Sequence, residues 1–126
     1  MRLILLLIGL FTLATGPIAF FAPKTFYETI PGLEMMGPFN LHFIRDVGLA
    51  FTASGAAMIW GGWHRNRAVA IAGASWLTLH GLFHIYIQFN RGLPGDLPMW
   101  FDLIAVMTPA LLGMIAAFNL KEMADE

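Results

Sequence analysis

The stretch LILLLIGLFTLATGPIAFFA, residues 3–22, runs for twenty positions without one Asp, Glu, Lys, Arg or His. At about 1.5 Å per residue, that is the length a helix needs to cross about 30 Å of hydrocarbon. Three further apolar stretches follow, at residues 41–62, 68–88 and 98–119. They predict an all-α fold: an up-and-down antiparallel four-helix transmembrane bundle, with residues 1–126 as a single domain.

The separators carry turn chemistry. Pro23, Pro31, Gly32, Gly37 and Pro38 divide the first two stretches, and Gly92, Pro94, Gly95 and Pro98 the last two. Gly61 and Gly62, followed by His64-Arg65-Asn66-Arg67, predict a tight hairpin between the middle pair. The polar end, residues 121–126, is expected to fray.

Composition supports this reading. Hydrophobic residues make up 58% of the chain and charged residues 12%, against about 25% charged in a soluble domain. The lipid bilayer is therefore the expected partner, with other membrane subunits or self-association as further ones. A net charge of -1 with seven scattered Lys and Arg leaves no basic patch to neutralise phosphates, so nucleic acid is not expected. The absence of cysteine excludes disulfides, thiolate metal sites and thiol redox chemistry.

Met1-Arg2 and the apolar run after it also suit a secretory leader. The run continues through Ile18-Ala19-Phe20-Phe21-Ala22 without a clean small-residue cleavage site, which favours a retained span. Arg2, Arg65, Arg67 and Lys121 fall on one side of a four-span chain, and Lys24 and Arg91 on the other. The positive-inside rule then sets both termini in the cytoplasm of a multi-pass protein of the bacterial inner membrane.

Ionisable groups within spans cost at least about 2.5 kcal/mol each near the helix centre, so they mark candidate sites. Here they are His42, Arg45 and Asp46 on the second stretch, His80 and His84 on the third with Gln88 following, and Asp102 on the fourth. Topology brings all of them to the outer side. His42 and Asp46 are four residues apart, as are His80 and His84, which puts each pair on one helix face. Antiparallel pairing sets Asp46 at about the depth of His84, with His42 nearer the surface, His80 a turn deeper and Asp102 close by. Ala50, Ala53 and Ala57, with Gly73 and Gly81, extend these faces and allow close helix approach or a pocket.

Four readings of the cluster follow. His42, Asp46, His80, His84 and Asp102 could ligate a divalent metal such as zinc, iron or copper. His42 and His84 could be axial ligands of haem b, with Arg45 at a propionate. His and Asp could exchange protons or hold a small polar ligand. Or the cluster could be structural, with an Arg45–Asp102 ion pair fixing helix register in an accessory packing subunit of a larger complex. No nucleophile, base and oxyanion-donor set stands out, so no catalytic residue is assigned.

Other features have plainer readings. Trp60, Trp63, Trp100 and Tyr27 fall near span ends, as an aromatic belt would. His64 belongs to the basic turn, the eight Met are dispersed, and Pro17 and Pro109 are candidates for kinks.

The segments Phe26-Tyr27-Glu28-Thr29-Ile30-Pro31-Gly32 and Gly37-Pro38-Phe39-Asn40-Leu41-His42-Phe43-Ile44-Arg45-Asp46-Val47-Gly48 carry a further signal. With the late histidines His80 and His84, this FYxxxPG and GPxNxHxxRDxG pattern resembles an uncharacterised family of small four-span bacterial membrane proteins over nearly their whole length. The resemblance implies the same four-span architecture and a signature region centred on Asn40, His42, Arg45 and Asp46. It implies no reaction, cofactor or partner. In size and span number the chain is also similar to DoxX-like membrane proteins.

Overall fold

A computed structural model describes residues 1–122. They form α1 (Arg2–Phe21), α2 (Pro23–Thr29), a 3-10 turn (Leu33–Met36), α3 (Leu41–Trp63) and α4 (Arg67–Asn90). A short α5 (Leu97–Phe101) then passes through a wide π-type turn (Asp102–Met107) into α6 (Thr108–Phe118). Helix limits fall within about two residues of the predicted ones. Of the polar end, residues 123–126 lie outside the described residues.

Arg2–Phe21, Arg67–Asn90 and Leu97–Phe118 are long and apolar enough to cross a membrane. The second predicted span, α3, is as long at 23 residues but does not qualify on apolarity. Arg45 and Asp46 sit in its second turn, and Gly, Ser and Thr dilute the rest.

Capping explains where the helices start. The Asn40 side chain accepts from Phe43 N at 3.0 Å, and that of Asn66 from Val69 N at 3.0 Å, each satisfying an amide with no partner inside its helix. At the end of α3, Arg2 donates from Nε to the Gly62 carbonyl at 3.1 Å, and its guanidinium lies over the Trp63 ring. A cation there meets the negative end of the helix. Pro17 does not interrupt α1. Pro109 has a larger effect: it lacks an N–H and its ring crowds the carbonyl four residues back, and the π-type turn lies just ahead of it.

The long helices pack in the cyclic order α1, α3, α4, α6, each antiparallel to its neighbours, through small residues. A Cβ placed on Gly16 would lie 2.7 Å from the Gly48 carbonyl oxygen, and one on Gly55 2.3 Å from Leu13 N. The backbones of α1 and α3 therefore touch, which only glycine permits at these two levels. Ser54 Oγ donates to the Gly73 carbonyl at 2.6 Å between α3 and α4, and a Cβ on Gly81 would meet Ala110 Cβ at 2.7 Å between α4 and α6. Leu5, Phe51, Met58 and Leu77 fill the centre with a layer of alanines. Ala50, Ala53 and Ala57 do border a space, as expected. It is an open groove of about 360 Å³ between α3 and α4, shared with Ala72, Gly73 and Trp76.

The long first connection folds back at the end where α3 begins. Tyr27 donates its hydroxyl to the Gly37 carbonyl at 2.6 Å, which gives this expected belt residue an anchoring role. A Cβ on Gly32 would lie 2.8 Å from Pro98, so this connection packs against the start of α5 and both loops share one end of the bundle.

Candidate functional site

At that end, the approach of α4 to the wide turn assembles a polar site in an otherwise apolar interface. Asp102 is the first residue of the π-type turn and is buried. One of its oxygens, Oδ2, lies 2.8 Å from His84 Nδ1 and accepts from Gln88 Nε2 at 2.5 Å. The histidine contact is close but poorly aligned for a straight N–H···O bond. His84 and Gln88 are one turn apart, so both face α6. Gln88 is 2% exposed.

The arrangement continues outward. Gln88 Oε1 accepts from Arg91 Nη1 at 2.8 Å, and Arg91 forms a two-pronged pair with Asp96. Asp96 in turn caps α5 by accepting from Met99 N at 3.1 Å. The Arg91 hydrogen bond holds the Asp96 carboxyl below the usual carboxylate range, because a donor fixed on the charged form favours it. A polar chain thus runs from Asp102 through Gln88 and Arg91 to Asp96 in the α4–α5 connection.

On the other side, His80 stacks on Trp76 with ring centres 5.0 Å apart, and its ring meets that of His84 at 4.6 Å. Phe51 of α3 meets the His80 ring edge-on at 5.6 Å. Trp76 also borders the α3–α4 groove. The Asp102 contact uses Nδ1 of His84 and leaves Nε2, on the opposite edge of the ring, for a second partner.

Comparison with known proteins yields no match: no family model, no curated protein and no solved structure. The chemistry of the site must be read from its geometry.

That geometry separates residues which spacing alone would group. His80, His84 and Asp102 come together, whereas His42 and Asp46 pair with each other on the outside of α3. His42 Nδ1 lies 2.7 Å from Asp46 Oδ2, with side chains 85% and 58% exposed. Among the described residues, no three His, Asp or Glu side chains converge closely enough to hold a metal ion, so the five predicted ligands do not form one set. His42, facing outward, is likewise no counterpart to His84 across a haem.

The expected Arg45–Asp102 ion pair is also absent. Arg45 donates from Nε to the Phe20 carbonyl at 3.3 Å and lies over the Phe20 ring. Asp102 is instead occupied by α4. The reason is rotational: Ile44, Gly48 and Phe51 take the inward face of α3, which turns residues 42, 45 and 46 away from α6. Arg91 and Asp96 are the members that sequence reasoning missed. Asp96 before Leu97-Pro98 is a legible helix-start signal, but Arg91 reads from sequence only as a loop charge.

Proposed function

We propose that the chain is a small multi-pass protein of the bacterial inner membrane, with both termini cytoplasmic, whose outer end carries a proton-exchanging site for a small polar ligand. Three span-like helices support the membrane placement. The clustering of Arg2 with the α3–α4 turn at one end of the bundle supports the orientation. Membership in the four-span family with the GPxNxHxxRDxG signature belongs to the same proposal. The cap made by Asn40 gives one signature residue a structural reason.

The observation that carries the reading is the buried Asp102 shared by His84 and Gln88. A carboxylate at this position orients the imidazole through Nδ1, while Nε2 stays available to exchange a proton or bind a solute. Gln88, Arg91 and Asp96 extend polar contact from Asp102 to the loop. A π-type turn carrying the carboxylate is in keeping with a functional site.

A second reading has its own support. Asp102, Gln88, Arg91 and Asp96 satisfy one another in series, which a purely structural lock in an accessory subunit would also require.

Histidine nitrogen resonances of labelled protein in lipid nanodiscs separate the two, since four histidines can be assigned by single His→Gln variants. On the proposed reading, the His84 Nε2 resonance exchanges with solvent protons and shifts when a small polar solute such as acetate is added. Asp102→Asn changes that response and leaves His42 and His64 alone. A His84 ring that shows neither exchange nor shift, in both proteins, leaves only the lock.

A further inference from the structure

The outward faces of the long helices are not alike. α1 presents Leu3, Leu7, Leu10, Phe11, Ile18 and Phe21, and α4 and α6 present similarly bulky Leu, Ile and Phe side chains. Such broad apolar faces suit acyl chains. The outward face of α3 is narrow: beyond Asp46 its exposed residues are Leu49, Ala53, Ala56, Trp60 and Trp63. Together with His42 and Asp46 they are spaced four and three apart in strict alternation, the repeat of a helix that packs along a seam against another helix. Ala53 and Ala56, at its middle, would let two backbones approach closely.

The seam begins with the His42–Asp46 pair, an ionisable set that lipid would disfavour. α3 is also the long helix that is not apolar enough to be a span on its own. Both features disappear as anomalies if protein covers this face.

We infer that a second copy of this chain packs on the outward face of α3, parallel to the first, about a two-fold axis along the membrane normal. The inference rests on the membrane placement but not on the His84 site. Copies inserted with one orientation can be related only by such an axis, so each seam residue faces its own equivalent and the seam residues one turn either side of it.

Charge complementarity selects a second copy over an unrelated helix. Asp46 already holds the Nδ1 edge of its own His42 on Oδ2, and a carboxylate has a further oxygen to offer. Across the axis that oxygen meets the partner's imidazole at Nε2, and the reverse contact forms by symmetry. The two pairs close into a four-membered polar ring in which carboxylate and imidazole alternate. The α3–α4 groove, which Ala53 also lines, lies beside the seam and gives the partner's side chains room.

The chain has no cysteine, so single-cysteine oxidation in native membranes is a direct test. Resistance of the protein to carbonate extraction checks the membrane placement separately. Ala53→Cys and Ala56→Cys should form disulfide-linked dimers, and the lipid-facing Leu79→Cys and Leu111→Cys should not. His42→Asp sets four carboxylates together and should weaken association in detergent at least about tenfold. The swapped variant carrying His42→Asp and Asp46→His should recover it, with helicity by circular dichroism unchanged in both. Cross-linking no greater at positions 53 and 56 than at 79 and 111 overturns the inference, as does a linked product of another mass or a swapped variant that stays monomeric.

Discussion

Two His–carboxylate pairs in this protein have nearly the same contact distance and opposite surroundings. His42 and Asp46 lie one turn apart on α3, 2.7 Å from each other and largely exposed. His84 and Asp102 come from α4 and the wide turn before α6, 2.8 Å apart, with side chains 17% and 8% exposed. The first pair is a local consequence of helical spacing and forms whatever α3 packs against. The second exists only because two helices meet, and Gln88 and the Arg91–Asp96 pair surround it with further donors and acceptors. The same chemistry therefore serves as a surface feature in one place and as a buried organising centre in the other.

The largest expected contrast comes from removing each carboxylate. Asp102→Ala strands His84 and Gln88 in a buried interface and should cost about 3 kcal/mol. Asp46→Ala, in monomeric detergent-solubilised protein, should cost about 0–1 kcal/mol. Reversible unfolding of the two variants in the same detergent gives both numbers, and equal losses would break the comparison.

The outward setting of the first pair depends on how α3 is held by α1. Gly55→Ala puts a methyl 2.3 Å from Leu13 N and should cost about 1–3 kcal/mol as the backbones separate. The same substitution should leave the His84 resonances nearly unchanged, because α4 and α6 carry that pair. A large shift there would mean that the two regions are coupled.

A smaller effect tests the outer end of the buried chain. Arg91 holds the Asp96 carboxyl below its ordinary value of 3.8, so the stabilisation is fully present above that value. It is lost as pH falls through the lowered one. Thermal melts taken downward from neutral pH should show a loss of stability that starts only at acidic pH. Asp96→Asn should blunt that acid dependence while keeping the cap on α5. An unchanged acid limb would mean that Asp96 does not contribute to it.

The smallest expected change is for His42→Ala in monomeric protein, within about 0.5 kcal/mol of the parent. A larger loss under those conditions would show that the exposed pair has a structural role within one copy.

Much of this protein is legible in its amino-acid sequence. Apolar run length locates the long helices, and three of them are long and apolar enough to cross a membrane. Gly and Pro mark the connections, and Asn40 and Asn66 stand where caps are needed. Depth is legible too: counting along antiparallel helices brings Asp102, His80 and His84 to one end, and there they meet.

What the sequence does not determine is rotation about each helix axis. Residues 42 and 46 lie near the level of residue 84, yet α3 turns Ile44, Gly48 and Phe51 inward and carries the charged residues outside. That setting follows from the glycine contacts between α1 and α3, which are formed by residues far apart in the chain. Asp102 reaches α4 from a wide turn beside Pro109, whose altered helical phase a regular 3.6-residue count does not anticipate. Composition and spacing thus settle which elements form and how deep each group lies, while side-chain direction is decided only when the helices pack.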